Sequence, residues 1–260
     1  MGLRELETRG WTRFGVDPDT LAWARAAREA GMQVLADPEM RRQWLQCEGT
    51  WFVGVDALPT APDGSVGGVP LAGAAVSALG ALPPLHPAQL SVTYPGYPRP
   101  RAGESDASFR YRLRRDAAHV DGVIADGAAR RRRILEPHAW ILGLPLTEAE
   151  PTASPLVVWE GSHRIIREAL FAELDKYPRE RWAEVDVTEA YQAARRICFD
   201  QCRRLPLPAV PGEALVLHRH LLHGIAPWAE GAKAPQEGRM VAYFRPQMAG
   251  GVSAWIAEVG

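Results

Sequence analysis

Apolar runs of strand length recur through the C-terminal two-thirds of the chain, and that recurrence leaves few architectures open. Gln89 to Tyr94 alternates apolar and polar residues until Pro95-Gly96 breaks it. Phe109 to Arg114 alternates strictly, which predicts a strand with Arg110, Arg112 and Arg114 on one face. Ala139 to Leu146 and Leu156 to Trp159 are apolar, and Ala214 to His218 and Met240 to Arg245 resume the pattern. Between them, Arg164 to Tyr177 and Thr188 to Arg204 carry helical spacing. Strands at intervals with helices inserted predict a barrel or sandwich with helices packed outside it.

The N-terminal third reads differently. Asp17-Pro18 and Asp37-Pro38 each offer a capping carboxylate followed by Pro at the first helical position, where the missing N–H costs nothing. Helices are expected over Leu21 to Leu35, interrupted at Gly31, and over Met40 to Leu45; Pro59 to Gly68 reads as a loop, and the alanine-rich Val69 to Leu82 as a further helix. No linker splits the chain, so the expectation is one domain over 1–260. Residues 1–85 would form a mainly helical support and 86–250 the β core.

Composition excludes some partners. Lys+Arg 30 against Asp+Glu 31 gives a formal net charge of -1, no electrostatic footprint for nucleic acid or an anionic membrane. The four-arginine run Arg130 to Arg133 is therefore expected to be a solvated edge or an intersubunit contact. Three cysteines are too few for a disulfide framework; Cys198 and Cys202, four apart on a helix, read as small buried residues. No stretch of about 18 apolar residues occurs, and Met1 to Phe14 lacks the apolar core of a signal peptide. A reduced, soluble, cytoplasmic protein is expected.

Of the seven histidines, His119 is the most informative. In His119-Val120-Asp121-Gly122 an imidazole and a carboxylate two residues apart project from the same side of an extended segment. They can take adjacent positions on one metal ion. A third ligand is available in His218-Arg219-His220-Leu221-Leu222-His223-Gly224, which follows an apolar strand. Two histidines and one carboxylate on one face leave three positions open, the facial triad of non-haem Fe(II) oxygenases.

Four blocks in this order make the chain resemble the phytanoyl-CoA dioxygenase-like family of Fe(II)/2-oxoglutarate-dependent oxygenases. They are His119 to Gly122, Pro155 to His163, Pro211 through Gly224, and Arg239 to Phe244. The resemblance spans roughly residues 89–246. It implies a double-stranded β-helix (jelly roll, cupin-like): an all-β core with N-terminal and inserted α-helices. His119, Asp121 and His223 would be the catalytic metal ligands, His223 being chosen over His218 and His220 because a family histidine often stands five residues before the ligand. Arg239 would grip the distal carboxylate of 2-oxoglutarate, with Arg245 as fallback, and Trp140 would stand near that cosubstrate. The activity implied is hydroxylation of a small-molecule substrate with O2, releasing succinate and CO2. The carboxylate at Asp121 disfavours a halogenase, which opens that position for chloride.

The chain also departs from the family pattern. The stretch Ile225 to Gly238 is long, Ile225 stands where a small hydroxyl residue often follows the late His-Gly, and Trp159-Glu160 replaces a usual Pro. His163 and Arg164 are expected by the pocket mouth, with Ser162 capping the helix there. The departures keep two alternatives open: a metal-binding barrel that only binds a small molecule, and a cupin-like isomerase or hydrolase using the metal as a Lewis acid. Consumption of O2 and 2-oxoglutarate separates them from the oxygenase.

Overall fold

Two antiparallel sheets face each other across a small apolar core in the computed structural model, which describes residues 3–257. The elements among the described residues are α1 (Arg4–Arg9), β1 (Trp11–Phe14), α2 (Pro18–Ala36), α3 (Pro38–Trp44), β2 (Leu45–Gln46), β3 (Trp51–Leu58), α4 (Ala74–Leu79), β4 (Ala88–Thr93), α5 (Asp106–Arg114), β5 (Val123–Asp126), β6 (Arg131–Ile134), β7 (Trp140–Pro145), β8 (Leu156–Glu160), α6 (Ser162–Leu174), α7 (Thr188–Gln201), β9 (Arg203–Leu207), β10 (Ala214–His218), β11 (His223–Ile225), β12 (Arg239–Phe244) and α8 (Gly251–Ile256). The larger sheet has the order β1-β10-β7-β12-β4-β3-β2, the smaller one β11-β8-β9, and β5 with β6 forms a separate hairpin. This is the double-stranded β-helix, an all-β core with added helices.

Strand alternation divides the side chains between three cores. On β12, Met240, Ala242 and Phe244 face the N-terminal helices and pack with Trp23, Ala24 and Ala27 of α2. The opposite face of the same strand carries Arg239, Val241 and Tyr243 toward the smaller sheet. Between the sheets Trp11, Ile141, Leu215 and Leu217 meet Leu156, Val158 and Leu207. Beyond the smaller sheet Val157 and Trp159 pack on Ile166, Tyr191 and Cys198 of α6 and α7. Each fully buried Leu, Ile or Phe contributes about 1.5–3 kcal/mol. The helices are thus held mainly by the apolar faces they cover.

Several local expectations are corrected. Phe109 to Arg114 is not a strand: Ser105 caps a helix by accepting the Ser108 N–H, and α5 runs through all six residues. Arg110, Arg112 and Arg114 therefore share no face. Arg110 and Arg114 are exposed, whereas Arg112 is buried on the Glu104 carboxylate, the Arg99 carbonyl and Cys47. Gly31 does not interrupt α2; the helix passes so close to the sheet that a Cβ there would meet Met240 Sδ at 3.0 Å. The alanine-rich stretch is helical only from Ala74 to Leu79, between Gly73 and Gly80. The N-terminal segment is more than helical support, since β1 closes one edge of the larger sheet and β2–β3 the other. The arginine run lies on and before β6, with Arg131 on Asp186 and Arg133 on Asp126 of the same chain.

The Arg112–Glu104 pair fixes the segment that leads into the histidine–aspartate motif. Both side chains are less than a tenth exposed. Glu104→Gln removes one partner of a buried ion pair and is expected to cost about 3 kcal/mol. A guanidinium denaturation midpoint unchanged from the parent would refute that.

Candidate metal centre

The two histidines of the centre are brought together by backbone pairing. His119 and His223 form an antiparallel bridge, His119 N–H donating to His223 O at 2.8 Å and His223 N–H to His119 O at 3.0 Å. The approach is close enough that the glycines of both motifs are obligatory. A Cβ at Gly224 would lie 2.1 Å from Asp116 O, and one at Gly122, where φ is +84°, would lie 2.1 Å from Glu136 O. Buried Asp116 receives a two-pronged contact from Arg204 at 2.7 and 2.8 Å, and its carbonyl accepts the Ile225 N–H. Tyr191 takes the Val120 N–H on its hydroxyl, so the residue between the two ligands is held as well.

Side-chain orientation follows from the same loops. His119 Nδ1 lies 3.0 Å from the Ala117 carbonyl and His223 Nδ1 2.9 Å from the Leu221 carbonyl. Each carbonyl selects the tautomer with the proton on Nδ1, leaving Nε2 free as a ligand. Those Nε2 atoms stand 3.1 and 3.7 Å from Asp121 Oδ1. The three donor atoms lie within 4.8 Å of one another. Asp121 Oδ2 points away and accepts from Arg245 Nη1 at 3.3 Å. Burial would raise the Asp121 carboxyl, but the His119 hydrogen bond and the His223 and Arg245 charges hold it well below the usual range. Burial pushes His223 down to about 4, against the pull of Asp121. A carboxylate and two neutral imidazoles are a borderline-hard donor set that suits Fe(II) and its divalent neighbours.

The triad opens on a cavity of about 250 Å3 between the sheets. Trp51, Val53, Ile141, Leu156 and Ile225 give it apolar walls; Gln89, Ser91 and Tyr243 supply polar groups. Trp51 and Val53 come from β3, an element absent from the sequence expectations. Its residues Trp51-Phe52-Val53-Gly54-Val55 are a continuous apolar run inside a segment read as helical support.

The other expected site residues divide. Arg239 is buried at the start of β12, on the face that also carries Tyr243 and Arg245, but unlike those two it does not line the cavity and lies behind Tyr243. Burial lowers its pKa, and the Tyr243 hydroxyl is the polar group beside it. No carboxylate of the described residues is within ion-pair distance of it. Arg245 is instead engaged on Asp121. Trp140 does not reach the cavity: it sits on the other face of β7 against the helix-side core, and Ile141 takes the inward position. His163 does not reach it either. Ser162 does not cap α6; its Oγ accepts the Leu222 N–H and so pins the turn before His223.

His218 and His220 lie outside this cluster and join His163 in a separate stack, at ring separations of 4.9 and 5.1 Å, with Trp255 against His220 at 4.2 Å. Burial pushes His218 down to about 3 and lowers His220 and His163. Each binds a proton more weakly folded than unfolded. Unfolding thus takes up protons below the ordinary imidazole value of about 6.5, and stability falls from there toward pH 3. The melting temperature is expected to drop between pH 6.5 and 4, less steeply in His220→Phe. Equal slopes for parent and variant would refute this.

No protein-family model matches the chain, and no curated protein matches it significantly. Similar solved structures include the non-haem α-ketoglutarate-dependent carbocyclase SnoK from nogalamycin biosynthesis, at 12% identity over 94% of this chain and 83% of that one, with TM-score 0.51. EctD from S. alaskensis with 2-oxoglutarate and 5-hydroxyectoine aligns at 16% identity over 93% and 74%, with TM-score 0.45. AviO1 from Streptomyces viridochromogenes aligns at 15% identity over 95% and 94%, with TM-score 0.44. The likeness to SnoK is one of fold alone: the double-stranded β-helix. Among the described residues no helix is long and apolar enough to cross a membrane.

Proposed function

We propose that the protein is a non-haem Fe(II)/2-oxoglutarate-dependent oxygenase of the phytanoyl-CoA dioxygenase-like kind, hydroxylating a small molecule with release of succinate and CO2. The observation that carries this beyond a metal-binding barrel is Arg239. A buried guanidinium facing only a tyrosine hydroxyl is costly, because burial without a counter-ion forfeits hydration. A dicarboxylate in the neighbouring cavity would supply that counter-ion. A plain Lewis-acid barrel has no use for one.

In this reading His119, Asp121 and His223 hold Fe(II) through Nε2, Oδ1 and Nε2. Bound iron with 2-oxoglutarate supplies O2 activation coupled to decarboxylation, directed at a substrate C–H bond. The chain's own residues do the rest. Arg239 forks onto the distal carboxylate, with the Tyr243 hydroxyl as second donor. Arg245 holds Asp121 Oδ2, so Oδ1 would be the carboxylate oxygen offered to the metal. Trp51, Val53, Ile141, Leu156 and Ile225 exclude water from the reacting centre.

The test is anaerobic addition of Fe(II) and then 2-oxoglutarate, read by the visible metal-to-ligand charge-transfer band, followed by substrate-dependent succinate release. A band with tight cosubstrate binding is expected. Iron binding without any band would overturn the oxygenase reading in favour of Lewis-acid chemistry or simple binding.

A further inference from the structure

A second cavity adjoins the metal pocket, and its chemistry is different. It shares Val55, Gln89, Tyr243 and Arg245 with the metal pocket, so the two adjoin along those four residues. Its polar lining beyond them is Asp56, His86, Glu136, His138 and Gln247, over apolar surface from Leu85, Pro87 and Phe244.

Three features show what it is suited to hold. Asp56 is aimed there by an irregularity in β3, where the register with β4 shifts between Gly54 and Leu58 and Asp56 takes φ +53°. Its carboxylate is exposed and has no ion-pair or hydrogen-bond partner among the described residues. Glu136 is half exposed, with its Oε2 3.3 Å from His138 Nε2. His138 is more than nine-tenths buried, yet neither ring nitrogen makes a well-aligned hydrogen bond. The lining holds one guanidinium, that of Arg245, and it is already matched by Asp121. Two carboxylates, an unsatisfied imidazole and the side-chain amides of Gln89 and Gln247 therefore face a partly apolar space with no free cation.

We propose that this cavity recognises the substrate by a cationic amino group, seated between Asp56 and Glu136, whose carbon body runs along the Gln89–Arg245 wall to the metal. The substrate class is an amine carried on an apolar body. An ammonium donates to both carboxylates and to neutral imidazole, while a carboxylate or phosphate there would meet like charge. That the amine is a substrate rests on the oxygenase reading. The binding preference does not.

The experiment uses the full chain, without iron or 2-oxoglutarate, and three probes of one shape: hexylamine, hexan-1-ol and hexanoate, followed by ligand-observed NMR. Hexylamine is expected to bind about tenfold tighter than hexan-1-ol, with hexanoate weakest. Asp56→Asn and Glu136→Gln should each remove most of that preference and leave hexan-1-ol unchanged. Asn tolerates the left-handed backbone at position 56, so that variant is expected to fold. Equal binding of the three probes, binding of none, or a preference that survives in the double variant would overturn the proposal. Since no metal or cosubstrate is present, a failure here is distinct from a missing charge-transfer band, which would remove only the oxygenase chemistry.

Discussion

His223→Ala is expected to abolish ferrous iron binding and with it the charge-transfer band. Losing an outer partner of a metal ligand typically costs about 10–100-fold in affinity, so losing the ligand itself should exceed about a hundredfold. The control is supplied by the chain: His218→Ala and His220→Ala remove histidines five and three residues away that lie in the separate stack with His163. Both should keep the band. A band in His223→Ala, or its loss in His218→Ala alone, would transfer the third ligand to the earlier histidine and refute the assignment. His223→Ala should also leave the fold largely intact, because the bridge to His119 is made by backbone groups that alanine retains. A circular dichroism spectrum matching the parent would separate ligand loss from unfolding.

Arg239→Met should have two effects of opposite sign. Removing the charged partner of a carboxylate costs about 2–5 kcal/mol, so 2-oxoglutarate should bind at least about thirtyfold more weakly. The same change removes a buried guanidinium that faces only Tyr243, and exchanging a poorly compensated buried charge for an apolar side chain of similar volume stabilises by about 1–4 kcal/mol. The unliganded variant should therefore melt higher than the parent while binding cosubstrate far less well. Calorimetric titration with 2-oxoglutarate and a denaturation curve without it read the two effects separately. Unchanged cosubstrate affinity would sink the role of Arg239. Arg245→Met is the counterpart: by freeing Asp121 Oδ2 it should weaken iron by about tenfold and affect 2-oxoglutarate only through the metal.

Much of this site was legible from local pattern. His119-Val120-Asp121-Gly122 and His223-Gly224 announce themselves because metal ligation demands specific donors, and because each glycine answers a backbone approach no other residue allows. The apolar runs that became β7, β8, β10 and β12 are legible for a similar reason: strands buried in a sheet need little beyond their own apolar side chains to be recognised. Phe109 to Arg114 shows where such reading stops. Six alternating residues fit a strand, and they fit a helix equally once Ser105 caps it and Glu104 receives Arg112. The same limit hid β3, whose short apolar run at Trp51 to Val55 gains meaning only when β4 lies beside it. It also hid β9, whose Pro206 is acceptable because that strand is at a sheet edge.

The sequence by itself determined the chemical kind of the centre, two imidazoles and a carboxylate, and the β-rich class of the fold around it. These depend on residue type and on spacings of a few residues, which any chain carries in its own order. Only the tertiary structure decided which late histidine meets His119, that Arg245 rather than Arg239 holds Asp121, that Trp140 faces away from the cavity, and that Asp56 and Glu136 line a second cavity beside it. Each of those turns on which face of a strand looks inward and on which distant strand is its neighbour. Such pairings are settled by burial and backbone hydrogen bonding between segments distant in the chain, and no local pattern encodes them.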